Sequence, residues 1–136
     1  MDVVEEAPVS VLVVDDQAPF RRAAATVVAL TKGFEMVGEA RSGEEAETMV
    51  DELSPRLVLM DINMEGIDGI EATRRIKAAH PEVVVVLLST YSEDDLPTGA
   101  RTCGAAAYLN KERFGPTALR ELAGENGLGN VGVTEG

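Results

Sequence analysis

Four short apolar runs in this sequence each end on residues able to do chemistry. Asp15 and Asp16 follow VSVLVV, Asp61 follows LVLM, Ser89 and Thr90 follow VVVVLL, and Asn110 and Lys111 follow AAAYL. Three carboxylates gathered in one crevice cannot all stay ionised without a cation. They are hard oxygen ligands with no His or Cys near them in sequence, so Mg²⁺ suits them better than zinc. Magnesium keeps several waters and leaves room for a phosphate oxygen, to which the Ser89 hydroxyl can donate and the Lys111 ammonium can offer a point charge. A carboxylate nucleophile, a metal, a hydroxyl donor and an ammonium are the equipment for forming an acyl phosphate. Taken singly, each has a plainer reading: Asp-Asp after a strand caps a helix, Ser89 caps a turn, and Lys111 is simply solvated. The joint pattern, one residue type at each strand end, is far more specific than any of its parts.

The elements that must position these groups are legible as well. The runs Val9–Val14, Leu57–Met60, Val83–Leu88 and Ala105–Leu109, with a weaker one at Phe34–Glu39, are mostly apolar on both parities. That pattern marks strands buried on both faces, hence a parallel sheet. Helical segments lie between them. Gln17–Leu30 places Phe20, Ala24, Val27 and Val28 on one face. Ser42 with Glu45 resembles a capping box opening a helix to about Leu53, stopped by Ser54-Pro55. Gly69–Ala79 places Ile70, then Thr73, then Ile76 and Lys77 at steps of three or four and ends at His80-Pro81. In Ser92–Gly104, Pro97 and Gly99 interrupt the pattern, which predicts a short helix starting near Pro97. The last helix runs roughly from Phe114 to Ala123. The order β-α-β-α-β-α-β-α-β-α predicts a flavodoxin-like doubly wound α/β sandwich. It has a five-stranded parallel sheet in the order 2-1-3-4-5 and five helices, the fourth short or irregular. In that order the first and third strands are neighbours, and ligands sit beyond the carboxyl ends of the strands. Asp15, Asp16 and Asp61 therefore share one crevice, and Lys111 reaches across from two strands away.

Composition narrows the function classes. A length of 136 residues suits one domain, and 45% hydrophobic residues suffice for a core. We divide the chain into an N-terminal extension (1–8), a folded domain (9–124) and a flexible tail or linker start (125–136). No apolar run is long enough to span a bilayer, and the N-terminus MDVVEEAP is acidic where a secretory signal is basic. The single cysteine, Cys103, cannot form an internal disulfide, which fits a reducing cytoplasm. A net charge of −12 argues against direct nucleic-acid binding. His80, the only histidine, reads as a helix terminator rather than a phosphorelay residue. Cys103 and Met36, Met49, Met60 and Met64 read as packing or site lining. Arg21, Arg22, Arg74 and Arg75 read as solvated helix faces.

The blocks VLVVDD, LVLMDINMEGIDG, VVLLST and GAAAYLNK resemble those of the receiver domain of bacterial two-component response regulators. The match runs from about Val9 to Ala123 in order and spacing. VGEARSGEEAETMV and EATRRIKAAHP look most like LuxR-type regulators, which regulate transcription. The resemblance implies a cytoplasmic signalling phosphoacceptor rather than an enzyme, one that assists its own phosphorylation and dephosphorylation. It implies that Asp61 accepts a phosphoryl group from a sensor histidine kinase with Mg²⁺ present. It further implies that Asp16 ligates the metal directly, Asp15 acts mainly through water, and Asn63 contributes its backbone carbonyl. Ser89 matches the switch hydroxyl, Lys111 the phosphate-pairing lysine, and Tyr108 an aromatic whose rotamer follows that hydroxyl. Output, by the same resemblance, passes through the fourth-helix, fifth-strand and fifth-helix face to a homodimer partner or an output protein.

Two positions depart from the family pattern. Met64-Glu65 stands where Met-Pro is frequent, and Glu65 is expected to point to solvent. Lys111-Glu112 stands where many members have a cis Lys-Pro, so a trans bond is expected. Pro97 and Gly99 predict an unusual signalling face. Other classes fit less well. A haloacid-dehalogenase-type phosphatase needs a second aspartate where Asn63 stands. A flavin or nucleotide binder needs a phosphate loop where the acidic DDQAPF lies. A receiver that binds partners without phosphorylation is the alternative kept, against the intact set of Asp16, Asp61, Ser89 and Lys111. With 25 residues after Lys111 (136 − 111), a stand-alone receiver and a receiver cut from a longer regulator are both expected readings.

Overall fold

The computed structural model describes residues 7–128. Its elements follow the expected alternation except between the last two strands: β1 (Val9–Val14), α1 (Ala18–Leu30), β2 (Phe34–Ala40), α2 (Gly43–Leu53), β3 (Leu57–Asp61), α3 (Gly69–Ala79), β4 (Val84–Ser89), β5 (Ala107–Asn110) and α4 (Pro116–Glu125). The strands form one parallel sheet ordered β2-β1-β3-β4-β5.

Strand parity divides the core. Leu12, Val14, Val58, Met60, Val85 and Leu87 point to one face, where Ala46 and Val50 of α2 and Ile70 and Ile76 of α3 cover them. Val11, Val13, Leu57, Leu59, Val86 and Leu88 point to the other, under Ala24 and Val28 of α1 and Leu119 and Ala123 of α4. The alternation is a consequence of the pleat: successive side chains leave a strand on opposite sides, so a strand between two helical layers must be apolar throughout.

Helix starts follow local chemistry. Ser42 Oγ accepts the Glu45 N–H at 3.0 Å, and the Glu45 carboxylate reaches back to the Arg41 N–H at 2.7 Å. Asp68 caps α3 through the Glu71 N–H at 2.9 Å. Pro19 and Pro116 sit in the first turns of α1 and α4, where no backbone donor is needed.

The fourth expected helix does not form as an α-helix. In its place are a 3₁₀ turn at Glu93–Asp95 and two turns closed by Ala100 N–H to Pro97 O and Thr102 N–H to Gly99 O, both 3.1 Å. Pro97 offers no N–H, and Gly99 adopts φ +92°, which ends any helical run. The described residues thus hold four α-helices rather than five. Ala100 and Cys103 nonetheless seal that flank, buried beside α3. Other boundaries shift slightly: the last helix starts at Pro116 rather than Phe114, because a 3₁₀ turn (Lys111–Arg113) leads into it. The expected tail begins late. Leu128 is 4% exposed and its N–H bonds to Ala123 O at 2.9 Å, so the packed body extends beyond 124. The rest of the expected tail, 129–136, and most of the N-terminal extension, 1–6, lie outside the described residues.

Candidate functional site

The carboxyl ends of β1, β3, β4 and β5 assemble the residues singled out above. Val14 pairs with Met60 and Asp61 with Leu88, so Asp15 and Asp61 emerge side by side. Carboxylate oxygens of Asp15, Asp16 and Asp61 all lie within 4.8 Å of one another. Asp15 is fully buried and Asp61 is 4% exposed. Lys111, arriving from β5, places its Nζ 2.6 Å from Asp15 Oδ2 and 3.2 Å from Asp61 Oδ1.

Electrostatics follow from this crowding. Burial, and then the negative charge of Asp15, push the Asp61 carboxyl up from 3.8 to about 6, against the Lys111 ammonium and the Asn63 N–H that favour its ionised form. Burial works to lower the Lys111 ammonium, but its hydrogen bond to Asp15 and the charges of Asp61 and Asp15 hold it above the ordinary lysine range. The oxygens of Asp15 are already engaged: Oδ1 accepts the Gln17 N–H at 2.8 Å and Oδ2 accepts Lys111. Asp16 is freer, meeting only the Gln17 side-chain amide at 3.4 Å.

Three close carboxylates, an excess of buried negative charge and no nitrogen or sulfur donor among them fit Mg²⁺. Asp16 and Asp61 would hold it, with Asp15 beside them.

Ser89 lies at the end of β4 and is 4% exposed. Its Oγ accepts the Tyr91 N–H at 3.2 Å and makes a long contact to the Tyr91 carbonyl at 3.5 Å, so its proton is weakly committed. Tyr91 spans the crevice mouth, donating from its hydroxyl to Asn63 Oδ1 at 3.4 Å. Asn110 Nδ2 donates to the Tyr91 carbonyl at 3.3 Å, tying the same loop to β5. Tyr108 is half-buried, with the Arg101 guanidinium 5.6 Å from its ring centroid. It lines a cleft of about 370 Å³ with Ser89, Tyr91, Leu96 and Arg113, to which none of the three carboxylates contributes. Glu65 is exposed, as expected, and no peptide bond among the described residues is cis.

Three contributors escaped the sequence reading. Arg21 is not a freely solvated face: its side chain is 13% exposed, and its guanidinium donates to the Asp15 carbonyl at 2.7 Å and pairs with Glu39 at 3.1 Å. Phe20 sets its ring 4.6 Å from Lys111 Nζ. Gly69, read only as a helix start, lies against the backbone of the candidate nucleophile. A Cβ there would overlap the Asp61 carbonyl oxygen and approach its carbon to 2.8 Å. The Gly69 N–H also bonds to Ile62 O at 2.9 Å, which holds the helix in that position. Gly69→Ala is therefore expected to cost about 1–3 kcal/mol in urea unfolding. An unchanged midpoint would show that α3 can slide away from β3. The D-G pair was visible in sequence, but only packing reveals why the glycine is needed.

His80 caps the end of α3 and bonds Asp51 at 2.6 Å, far from a relay role in this crevice. Arg74 and Arg75 pair with Glu71, and Arg75 also with Glu47.

The family model for the response regulator receiver domain matches residues 11–123. The response regulator GacA of Pseudomonas protegens is 44% identical over 103 residues, covering 76% of this chain and 48% of that protein. This chain thus spans about half the length of the curated relatives it matches. A LuxR-family two-component response regulator from Aurantimonas sp. SI85-9A1 superposes with a TM-score of 0.77 at 27% identity, covering 87% of both chains. The response regulator domain of Thermotoga maritima CheB gives 0.79 at 27% identity, covering 88% of this chain and 97% of that one. Among the described residues, no helix is long and apolar enough to cross a membrane.

Proposed function

This chain belongs to the response regulator receiver domain family, and on that premise we propose that Asp61 is its phosphoacceptor, charged by a sensor histidine kinase with Mg²⁺ bound at Asp16 and Asp61. The observation that carries this reading is the Asp61 carboxylate itself, shielded from bulk water, 3.2 Å from an ammonium and beside two further carboxylates.

The proposed chemistry uses the chain's own groups as follows. An Asp61 carboxylate oxygen attacks phosphorus, forming an acyl phosphate as the bond to the donor nitrogen breaks. Burial keeps the product away from water. Bound Mg²⁺ would neutralise the carboxylates and the phosphoryl oxygens together. Lys111 moves one of its hydrogen bonds from a carboxylate to a phosphoryl oxygen, a small displacement because Asp61 already lies within its reach. The backbone carbonyl of Asn63 is the third proposed metal ligand. Ser89 gives up its contacts with Tyr91 and donates to the phosphoryl group, which releases the Tyr91 loop from its closed turn. Ser89, Tyr91 and Tyr108 line one cleft, so that release reshapes the surface formed by the 93–106 segment, β5 and α4.

That surface is the proposed output face, engaging a second copy or an output protein. Relatives include the transcriptional regulatory protein DegU of Brevibacillus brevis. A role in transcription regulation, exercised from the cytoplasm through an attached or separate output domain, is proposed on that basis. The net charge of −12 disfavours direct contact of this chain with nucleic acid.

Intact-mass analysis after incubation with a small acyl phosphate and Mg²⁺ tests it. One phosphoryl adduct is expected, lost with EDTA and lost in Asp61→Asn. A folded, Mg²⁺-supplied chain that gains no adduct from either the small donor or a histidine kinase would overturn the phosphoacceptor reading. It would leave partner binding without phosphorylation.

A further inference from the structure

The Lys111 ammonium has a third neighbour besides the two carboxylates. The Phe20 ring, in the first turn of α1, places its centroid 4.6 Å from Nζ. The same ring meets Phe114 at 6.3 Å between centroids, tilted by 46°. Phe114 in turn donates its backbone N–H to the Lys111 carbonyl at 3.2 Å. One aromatic side chain of α1 thus touches both ends of the 3₁₀ turn that carries the lysine.

The two kinds of contact differ in what the reaction does to them. The carboxylate contacts must be redistributed when a phosphoryl group arrives. The ring contact need not change, because an aromatic face attracts a cation through its quadrupole and has no lone pair or proton to exchange. A cation over the face is attracted out to about 6 Å from the centroid, so from 4.6 Å the contact survives a swing of Nζ by about an ångström.

We propose that Phe20 is a positioning residue for Lys111, its ring holding the ammonium at the mouth of the crevice while the anions it pairs with change. For the phosphorylation step this rests on the reading of Asp61 as phosphoacceptor. Phe20→Leu keeps apolar bulk and removes the ring, whereas Phe20→Tyr keeps the ring. With a small acyl phosphate and Mg²⁺, Phe20→Leu is expected to slow adduct formation by about three- to tenfold, and Phe20→Tyr to restore most of the rate. Equal rates in all three proteins, or a Tyr variant as slow as the Leu variant, would overturn the proposal.

A second measurement needs no phosphorylation. Urea unfolding of the unsubstituted chain, Phe20→Leu, Lys111→Met and the double variant is expected to show coupling of about two- to tenfold in the unfolding equilibrium constant. Additive effects would mean that the ring merely packs. If Lys111→Met does not fold, the Leu and Tyr variants decide the point in the same assay, since the ring-bearing one must keep the stability the other loses. Coupling without any adduct on the unsubstituted chain would refute the phosphoacceptor reading alone and leave the positioning of the ammonium standing.

Discussion

Asp61→Asn is expected to stabilise the metal-free chain by about 2 kcal/mol at neutral pH, raising its thermal midpoint by roughly 5–10 °C. The reason is the charge the fold forces on itself. Asp61 is 4% exposed, and burial together with Asp15 raises its carboxyl from 3.8 to about 6. A shift of that size corresponds to about 3 kcal/mol of penalty on the ionised form. That penalty is already net of the attraction to Lys111, and part of the gain is lost because the nearly buried amide brings N–H donors that need partners of their own. The pH dependence has a definite sign. The folded-state value lies above the unfolded one, so the folded chain binds the extra proton between about pH 4 and pH 6, and stability falls as pH rises through that window. The advantage of the variant should be full above about pH 7 and absent below about pH 4. Thermal unfolding in EDTA across that range checks it. Magnesium should stabilise the unsubstituted chain, because it binds the folded state, and the variant much less. A variant no more stable than the parent at neutral pH would show that Asp61 carries no uncompensated charge.

Lys111→Met should act in the opposite direction and at least as strongly, costing about 3 kcal/mol in the absence of divalent metal. The ammonium is the only cation within ion-pair distance of Asp15 and Asp61 among the described residues. Removing it leaves a fully buried carboxylate and a nearly buried one facing each other. Breaking a buried pair from one side is far more costly than exchanging both partners for apolar groups. Two rescues separate this cause from lost packing. Millimolar Mg²⁺ should recover much of the loss, since it supplies positive charge to the same oxygens, and so should adding Asp61→Asn. Urea midpoints with and without Mg²⁺ read both. A deficit that neither treatment reduces would mean that the stem of Lys111, rather than its charge, holds β5 in place.

These two expectations have one origin. Doubly buried strands leave their chain ends as the only places where polar groups can emerge, and the order β2-β1-β3-β4-β5 brings the acidic ends of β1 and β3 together. The electrostatic cost of the proposed phosphoryl-accepting site is then built into the sheet. A single ammonium offsets part of it, and the remainder is what gives the crevice its demand for a cation.

Much of this was legible in the sequence by itself. Apolar runs on both parities dictated strands buried on both faces, and their alternation with helical segments left one economical topology. The one or two residues following each run then marked the candidate site, so Asp15, Asp16, Asp61, Ser89 and Lys111 could be named from chain position alone. Pro97 and Gly99 pointed to a short or irregular fourth helix because their effects are local, a missing N–H and a left-handed φ, but that the segment forms no α-helix at all emerged only in the structure. Only the tertiary structure decided what depends on distance across the fold. The ring of Phe20 beneath Lys111 joins residues far apart in sequence, and its spacing on α1 looks like that of any core residue. Arg21 resembled a solvated cation because periodicity shows which face a side chain occupies, and not that a carbonyl waits within 2.7 Å. Gly69 could be any helix start until β3 is laid against it. Leu128 carried too little pattern around it to foretell burial. Periodicity and backbone chemistry are properties of neighbours in the chain, whereas contact, charge compensation and close approach are properties of neighbours in space.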